Sequence, residues 1–124
     1  MAVVCRATVL LLFVSASAWS AEWDCESKTY LFCTGGTCSQ NTETAALAVD
    51  TDEGMTLRRT SKGGRDFMRI VSVDIRKNAT YVHYSDAFSH GFAVLTDHDF
   101  GSWYEDTMFT ANGSWVSSGS CSKR

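Results

Sequence analysis

The stretch LFCTGGTCSQ (residues 31–40) predicts a β-hairpin with one cysteine on each strand. Adjacent glycines adopt positive φ angles without steric cost, so Gly35-Gly36 suits the two-residue turn that joins antiparallel strands. The threonines on either side of this turn then form a hydrogen-bonded pair. Cys33 and Cys38 occupy the next pair, which is not hydrogen-bonded and brings cross-strand side chains closest together. This geometry favours a disulfide across the hairpin.

The N-terminal segment has the layout of a secretory signal peptide. Arg6 is followed by the apolar run ATVLLLFV and then by the small-residue stretch SASAWSA. The apolar run is about half of the roughly 20 residues that a membrane-spanning helix needs. We therefore predict a cleaved signal peptide at residues 1–20, which removes Cys5, and a single domain at residues 21–124. The predicted location is periplasmic or secreted.

Four cysteines remain in the predicted mature chain: Cys25, Cys33, Cys38 and Cys121. An even number of cysteines in an exported chain indicates two disulfides. The closely spaced CxxC pairs that are typical of zinc and redox sites do not occur in this sequence. The hairpin favours Cys33–Cys38, which leaves Cys25–Cys121. The other two arrangements, Cys25–Cys33 with Cys38–Cys121 and Cys25–Cys38 with Cys33–Cys121, remain open.

The charge balance bears on the class of partner. The formal net charge of the whole chain is −3, and removal of Arg6 leaves −4. An acidic chain disfavours nucleic acid, because phosphates require a basic surface. We expect no nucleic acid, no cofactor and no transmembrane segment in the mature chain. The expected partner is a protein or a small ligand outside the cytoplasm.

Short alternating runs separated by turn signals predict an all-β domain. The longest run, DFMRIVSVDIRK (residues 66–77), has an apolar face, and Asn112-Gly113 is a strong hairpin signal. We predict about seven to nine short strands in an antiparallel meander, closed into a small barrel or a tight sandwich and stabilised by disulfides. The predicted core residues are Leu31, Leu47, Val49, Leu57, Phe67, Val71, Val73, Ile75, Val82, Tyr84, Phe92, Val94, Trp103, Phe109 and Trp115.

The sequence gives little support for a catalytic site or a metal site. The adjacent pair Glu105-Asp106 lies on a predicted strand, where neighbours point to opposite faces and cannot cooperate. No GxSxG nucleophile elbow occurs, so we predict that the protein is not an enzyme. His83 and His90 are predicted to share one sheet face near a hairpin tip, with Asp86 in the turn between them. A metal site at these three residues is the alternative to an ordinary exposed face.

Basic residues cluster around one predicted hairpin: Arg58, Arg59, Lys62, Arg65 and Arg69. Such a cluster suits an anionic ligand, a lipid surface or an acidic face of a partner. The alternative interpretation is a solvated hairpin whose charges keep a strand edge from pairing with other chains. We take these five residues as candidates for partner binding.

The layout of the predicted mature chain resembles the periplasmic inhibitors of C-type lysozyme. It shares with that family an aromatic-x-Cys start (residues 23–25), a cysteine near the end and a length of about 100 residues. The family's inhibitory segments, Ser-Gly-x-Arg/Lys-Tyr and Trp-x-Lys-Gly-x-x-Ala, have their nearest matches at residues 63–67 (GGRDF) and 88–93 (FSHGFA). Glycine replaces the serine of the first segment, and His90 replaces the lysine of the second.

The resemblance implies a small β-barrel that inhibits a secreted enzyme, and it adds His90 to the candidate partner-binding residues. Because both segments depart from the family pattern, no inhibitory role is transferred to an individual residue. We expect an exported, non-enzymatic binding protein, with inhibition of a lysozyme-like or other secreted enzyme as its activity. The alternative is a β-barrel that binds a small ligand or a metal, at the histidine pair or in the barrel interior.

Overall fold

The computed structural model describes residues 22–124, so the predicted signal peptide and Cys5 lie outside the described residues. Strands make up 73 % of the structure and no helix occurs in the described part of the chain, which confirms the all-β prediction. The strands are β1 (Trp23–Ser27), β2 (Tyr30–Thr34), β3 (Thr37–Asn41), β4 (Ala45–Asp50), β5 (Met55–Thr60), β6 (Arg65–Ile75), β7 (Ala79–Ser85), β8 (His90–His98), β9 (Gly101–Thr110) and β10 (Gly113–Lys123).

Eight of these strands form a closed antiparallel barrel. Their order is β1-β4-β5-β6-β7-β8-β9-β10, and β10 returns to pair with β1. The prediction of an antiparallel barrel is therefore confirmed. The structure has ten strands in the described residues, more than the seven to nine predicted, because two long strands are each interrupted. β1 and β2 are separated by residues 28–29, and β3 and β4 by residues 42–44.

The two additional strands, β2 and β3, form a hairpin beyond the barrel. One edge of β10 pairs with β2 through residues 114–117 and with β1 through residues 120–123. Gly119 lies at the break, and a Cβ atom there would stand 2.0 Å from the Glu26 carbonyl oxygen. Only glycine allows this approach of the two backbones, so Gly119 permits the chain to bend between β1 and β2.

Both disulfides join residues that face each other across paired strands. Cys25 and Cys121 are opposite on β1 and β10, and they close the seam of the barrel. Cys33 and Cys38 are opposite on β2 and β3, next to the Gly35-Gly36 turn. Both glycines have positive φ angles, 58° and 80°, as the two-residue turn requires. The favoured pairing is thus confirmed, and the two alternative arrangements do not form.

The barrel interior is filled by side chains from all around the wall. The largest of the fully buried side chains are Trp23, Leu47, Val49, Thr56, Val82, Tyr84, Leu95, Tyr104 and Asp106. Of the predicted core residues, Leu47, Val49, Leu57, Val82 and Tyr84 are buried, and Val73, Val94 and Trp115 are half-buried. The remaining predictions for the core are wrong, for two main reasons.

The first reason is a change of phase along β6. Phe67 is 55 % exposed and Val71 is exposed as well, whereas Met68 points inward and is only 3 % exposed. The pairing of β6 with β7 shifts by one residue at Val71, which forms a β-bulge. A bulge inserts one unpaired residue, so the face that points inward changes along the strand. Ile75 follows the bulge on the same face as the half-buried Val73, but it is the last residue of the strand and is 71 % exposed there.

The second reason is that the outer surface is itself rich in apolar side chains. Leu31, Phe92, Trp103 and Phe109 lie on the outer face and are more than a third exposed. Each alternates with a buried or half-buried neighbour, so the sequence pattern offers two apolar faces and does not say which one points inward.

Candidate functional site

A polar cluster of three side chains lies inside the barrel wall. The Arg58 guanidinium donates hydrogen bonds to Asp106 Oδ2 and to the Tyr84 hydroxyl, and the Tyr84 hydroxyl donates to Asp106 Oδ1. The Arg58 side chain is only 11 % exposed and that of Asp106 is fully buried. The prediction that Arg58 belongs to an exposed basic cluster is therefore wrong. Alternation along β5 points Thr56 and Arg58 inward and Arg59 outward.

Burial and the charges of the neighbours set the protonation of this cluster. Burial raises the pKa of the Asp106 carboxyl, and the Arg58 charge opposes that rise. Burial alone would lower the pKa of Arg58, but Asp106 raises it above its ordinary value. Burial and the Asp106 charge also raise the pKa of Tyr84, so its hydroxyl stays protonated and remains a donor. Within the described residues, Arg58 Nε is a buried polar atom without a hydrogen-bond partner.

The polar cluster is enclosed by the fold and presents no reactive group to a ligand. Tyr84 and Asp106 are each 1 % exposed. Gly91 on β8 leaves the space that the tyrosine ring crosses, because a Cβ atom there would stand 2.4 Å from the ring. The arrangement links β5, β7 and β9 across the interior.

The outer face of the β5–β6 hairpin carries the other predicted basic residues. Arg59 on β5 lies directly opposite Arg65 on β6, and Arg69 lies four residues further along β6 on the same face. Lys62 lies in the connecting turn, and all four residues are exposed. We call Arg59, Lys62, Arg65 and Arg69 the basic face. Phe67 stands between Arg65 and Arg69 on this surface.

The charges of the basic face are poorly neutralised by the barrel itself. In residues 22–124, neither Arg59, Arg65 nor Arg69 forms an ion pair with a carboxylate. Lys62 is near Glu43, whose carboxylate accepts a hydrogen bond from the Lys62 backbone N–H at 3.1 Å. The lysine charge is one of the influences that lower the pKa of Glu43, after the Thr60 side-chain hydrogen bond. The three arginines are therefore available to an anionic partner.

A groove of about 630 Å³ adjoins the basic face on the outside of the barrel. The groove is lined by Ala46, Gly119, Arg59, Glu26 and Lys28, among other residues. The groove adds accessible surface next to Arg59 at the edge of the basic face.

The histidine pair has the geometry that the sequence predicts. Ser85 pairs with His90, His83 pairs with Phe92, and the two imidazole rings are 6.1 Å apart between centroids. His83 stacks on Phe92 at 4.5 Å, and His90 stacks on the ring of Phe109 at 5.2 Å. The pair is thus part of an exposed aromatic surface on β7, β8 and β9.

Asp86 does not join the histidines. Its Oδ1 atom accepts hydrogen bonds from the backbone N–H groups of Phe88 and Ser89, at 2.8 and 2.7 Å, and so stabilises the β7–β8 turn. Among the side chains of residues 22–124, no group of three or more His, Cys, Asp or Glu is placed to hold a metal ion.

No family model, curated protein or solved structure matches this chain. An assignment of function therefore depends on the chemistry of the surface and on the sequence resemblance described above. Over the described range, no helix is long and apolar enough to cross a membrane.

Sequence reasoning found the basic face but missed two features of it. Alternation along a strand separates Arg58 from Arg59, and this signal was available in the adjacent pair of arginines. The same rule correctly separates Glu105, which is exposed, from Asp106, which is buried. The position of Phe67 on the outer surface had no local signal, because it depends on which face of β6 the barrel encloses.

Proposed function

We propose that this protein is an exported, non-enzymatic binding protein whose basic face binds an acidic surface of a partner. We further propose that the partner is a secreted lysozyme-like enzyme. The observation that carries the proposal is the pairing of Arg59 with Arg65 on the outer face, with Arg69 nearby and with no ion-pair partner for any of them in the described chain.

Like charges placed directly opposite on a sheet destabilise it. An anionic partner would attract the two arginines and would also remove the repulsion between them. Both effects would favour binding. Arginine is suited to this role because its planar guanidinium binds a carboxylate through two parallel hydrogen bonds. Phe67 adds an exposed aromatic surface among the arginines, and aromatic residues and arginine are the types enriched at binding hot spots.

The choice of enzyme class is supported by chemistry and by resemblance. Lysozymes act through a pair of carboxyl groups in an open cleft, which is an acidic target for a guanidinium. The segment that resembles an inhibitory loop, residues 63–67, spans the end of the β5–β6 turn and the start of β6, and it contributes Arg65 to the basic face. The open groove beside Arg59 offers additional contact area.

Inhibition of a C-type lysozyme by the purified mature protein tests the proposal. We expect Arg59→Glu combined with Arg65→Glu to weaken both binding and inhibition by about 30-fold or more, the effect of losing at least one hot-spot residue. The matched control is Arg76→Glu combined with Lys77→Glu, an equal charge change in the exposed β6–β7 turn. The control should retain the affinity of the wild type.

Two results would contradict the proposal. The first is an absence of lysozyme binding by the wild-type protein, which would rule out a lysozyme-like enzyme as the partner. The second is an equal loss in the test and control variants, which would show a general effect of charge and no specific role for the basic face.

A further inference from the structure

β3 differs from every other strand in the described chain, because it pairs with a single neighbour. The eight barrel strands each have a partner on both sides, and β2 lies between β10 and β3. One edge of β3 is therefore open along residues 37–41. An open edge presents unpaired backbone N–H and C=O groups, which are a template for another strand.

This edge lacks the usual features that prevent pairing with other chains. Natural edge strands are protected by charged side chains, proline or β-bulges. Residues 29–42 contain no charged residue and no proline, and the β2–β3 pairing runs without a register shift. Thr37, Cys38, Ser39 and Gln40 are all exposed. The edge is thus both reachable and uncharged.

The turn determines which backbone groups of β3 point outward. Thr34 and Thr37 flank the two-residue turn and form a hydrogen-bonded pair, so Phe32 and Ser39 form the next one. The residues between these pairs, Cys38 and Gln40, direct their N–H and C=O groups away from β2. These outward-pointing backbone groups lie on both sides of Ser39, where another strand can form hydrogen bonds with them.

We propose that the open edge of β3 pairs antiparallel with β3 of a second copy of this chain, on a two-fold axis at Ser39. Cys38 of each copy then exchanges two backbone hydrogen bonds with Gln40 of the other, and the two Ser39 residues face each other. The pattern is self-complementary, as a two-fold interface requires. This inference does not depend on the proposed binding of an enzyme.

The chemistry of the strand suits pairing with a second copy. Two identical uncharged strands meet without like-charge repulsion, and residues 29 to 42 carry no charge. The disulfide between Cys33 and Cys38 holds the hairpin in its paired shape, so little order has to be gained on binding. Gly35-Gly36 places no side chains at the tip, where the second copy passes.

Sedimentation velocity of the full mature chain over a concentration series tests the inference. One strand pair buries less than the roughly 1,200–2,000 Å² of a stable interface, so we expect a weak dimer that appears at high concentration. Ser39→Lys and Ser39→Glu each place like charges opposite one another across the axis. Each variant alone should associate at least about tenfold more weakly than the wild type, and an equal mixture of the two should associate again as a 1:1 heterodimer.

Two further variants separate edge pairing from a general effect on the fold. Gln40→Pro removes an N–H group that points away from β2, so it should abolish the dimer while the disulfide and the β-sheet spectrum remain. Ser118→Lys adds the same charge as Ser39→Lys at an exposed site on β10, and it should leave association unchanged. A wild type that stays monomeric throughout the series would overturn the inference, as would Ser39 variants that dimerise as the wild type does.

Discussion

The closed barrel and the β2–β3 hairpin use the same antiparallel pairing with opposite results at their edges. In the barrel, the return of β10 to β1 gives every strand two neighbours. In the hairpin, β3 has one neighbour and an open edge. Each region carries one disulfide, across the barrel seam at Cys25–Cys121 and across the hairpin at Cys33–Cys38. Backbone pairing is thus completed by closure in one region and left open along one edge in the other.

The two regions also differ in the side-chain contacts that hold them in place. The barrel encloses an ion pair, Arg58 with Asp106, among large apolar side chains. The hairpin is attached to β10 by an aromatic group in which Tyr30 and Phe32 each lie 4.9 Å from Trp115, measured between ring centroids. Loss of an interaction inside the barrel should therefore affect the whole domain, whereas loss of one in the hairpin should remain local.

The largest effect is expected at the barrel seam. Replacing both Cys25 and Cys121 by serine opens a loop of nearly the whole domain, and chain-entropy estimates for a loop near 100 residues give about 4.7 kcal/mol. This is a large part of the roughly 5–15 kcal/mol that stabilises a small domain. Urea denaturation should show a free energy of unfolding lower by about 4.7 kcal/mol and a transition at a much lower urea concentration. A stability close to that of the wild type would show that the seam is held by backbone pairing alone.

A loss of similar or slightly smaller size is expected inside the barrel. Asp106→Ala leaves the Arg58 charge buried without its partner, and breaking a buried pair in this way costs about 3–5 kcal/mol. Glu105→Ala is the matched control, because Glu105 is the exposed neighbour on the same strand. The control should change the free energy of unfolding by no more than about 0.5 kcal/mol. Equal losses in the two variants would contradict the structural role of the interior cluster.

The hairpin disulfide should matter less. Replacing Cys33 and Cys38 by serine releases a loop of six residues, for which the same chain-entropy estimate is about 2 kcal/mol. The barrel should stay folded, and limited proteolysis should cleave the variant near the Gly35-Gly36 turn faster than the wild type. Simultaneous loss of barrel protection in hydrogen exchange would show that the two regions unfold as one unit.

The smallest effect is expected from low pH on the end of the hairpin opposite its turn, which we call the base of the hairpin. The Glu43 carboxylate accepts a hydrogen bond from the Tyr30 hydroxyl at 3.2 Å, and hydrogen bonding, above all with the Thr60 side chain, lowers the pKa of Glu43 below its ordinary value of 4.5. A lowered pKa in the folded state gives stability that is present above the ordinary value and is lost as the pH falls through the lowered one. Exchange protection at the base of the hairpin should therefore decrease as the pH falls from the ordinary value of 4.5 through the lowered pKa of Glu43.

Glu43→Gln tests this pH dependence, because glutamine cannot ionise. The variant should have a hairpin base that is less protected at neutral pH and that changes little with acid. A variant that keeps the acid response of the wild type would assign that response to another carboxylate.

Sequence alone determined the features that depend on a turn or on strand alternation. The Gly35-Gly36 turn places Cys33 opposite Cys38, and the four-cysteine count then leaves Cys25 with Cys121 as the favoured remaining pair. The adjacency of His83 and His90 follows from the length of their shared turn in the same way. These relations involve residues close together in the chain, so local geometry specifies them without knowledge of the other strands.

Only the tertiary structure decided which apolar face points inward and which strand edge stays open. Closure through β10 and β1 encloses Met68 and leaves Phe67 outside, and the bulge at Val71 changes the inward face within β6. The same closure turns Arg58 inward to Asp106 and leaves Arg59 on the basic face. These outcomes depend on which distant strands become neighbours, and a one-residue change of register reverses every face. The open edge of β3 likewise exists because the barrel closes without it.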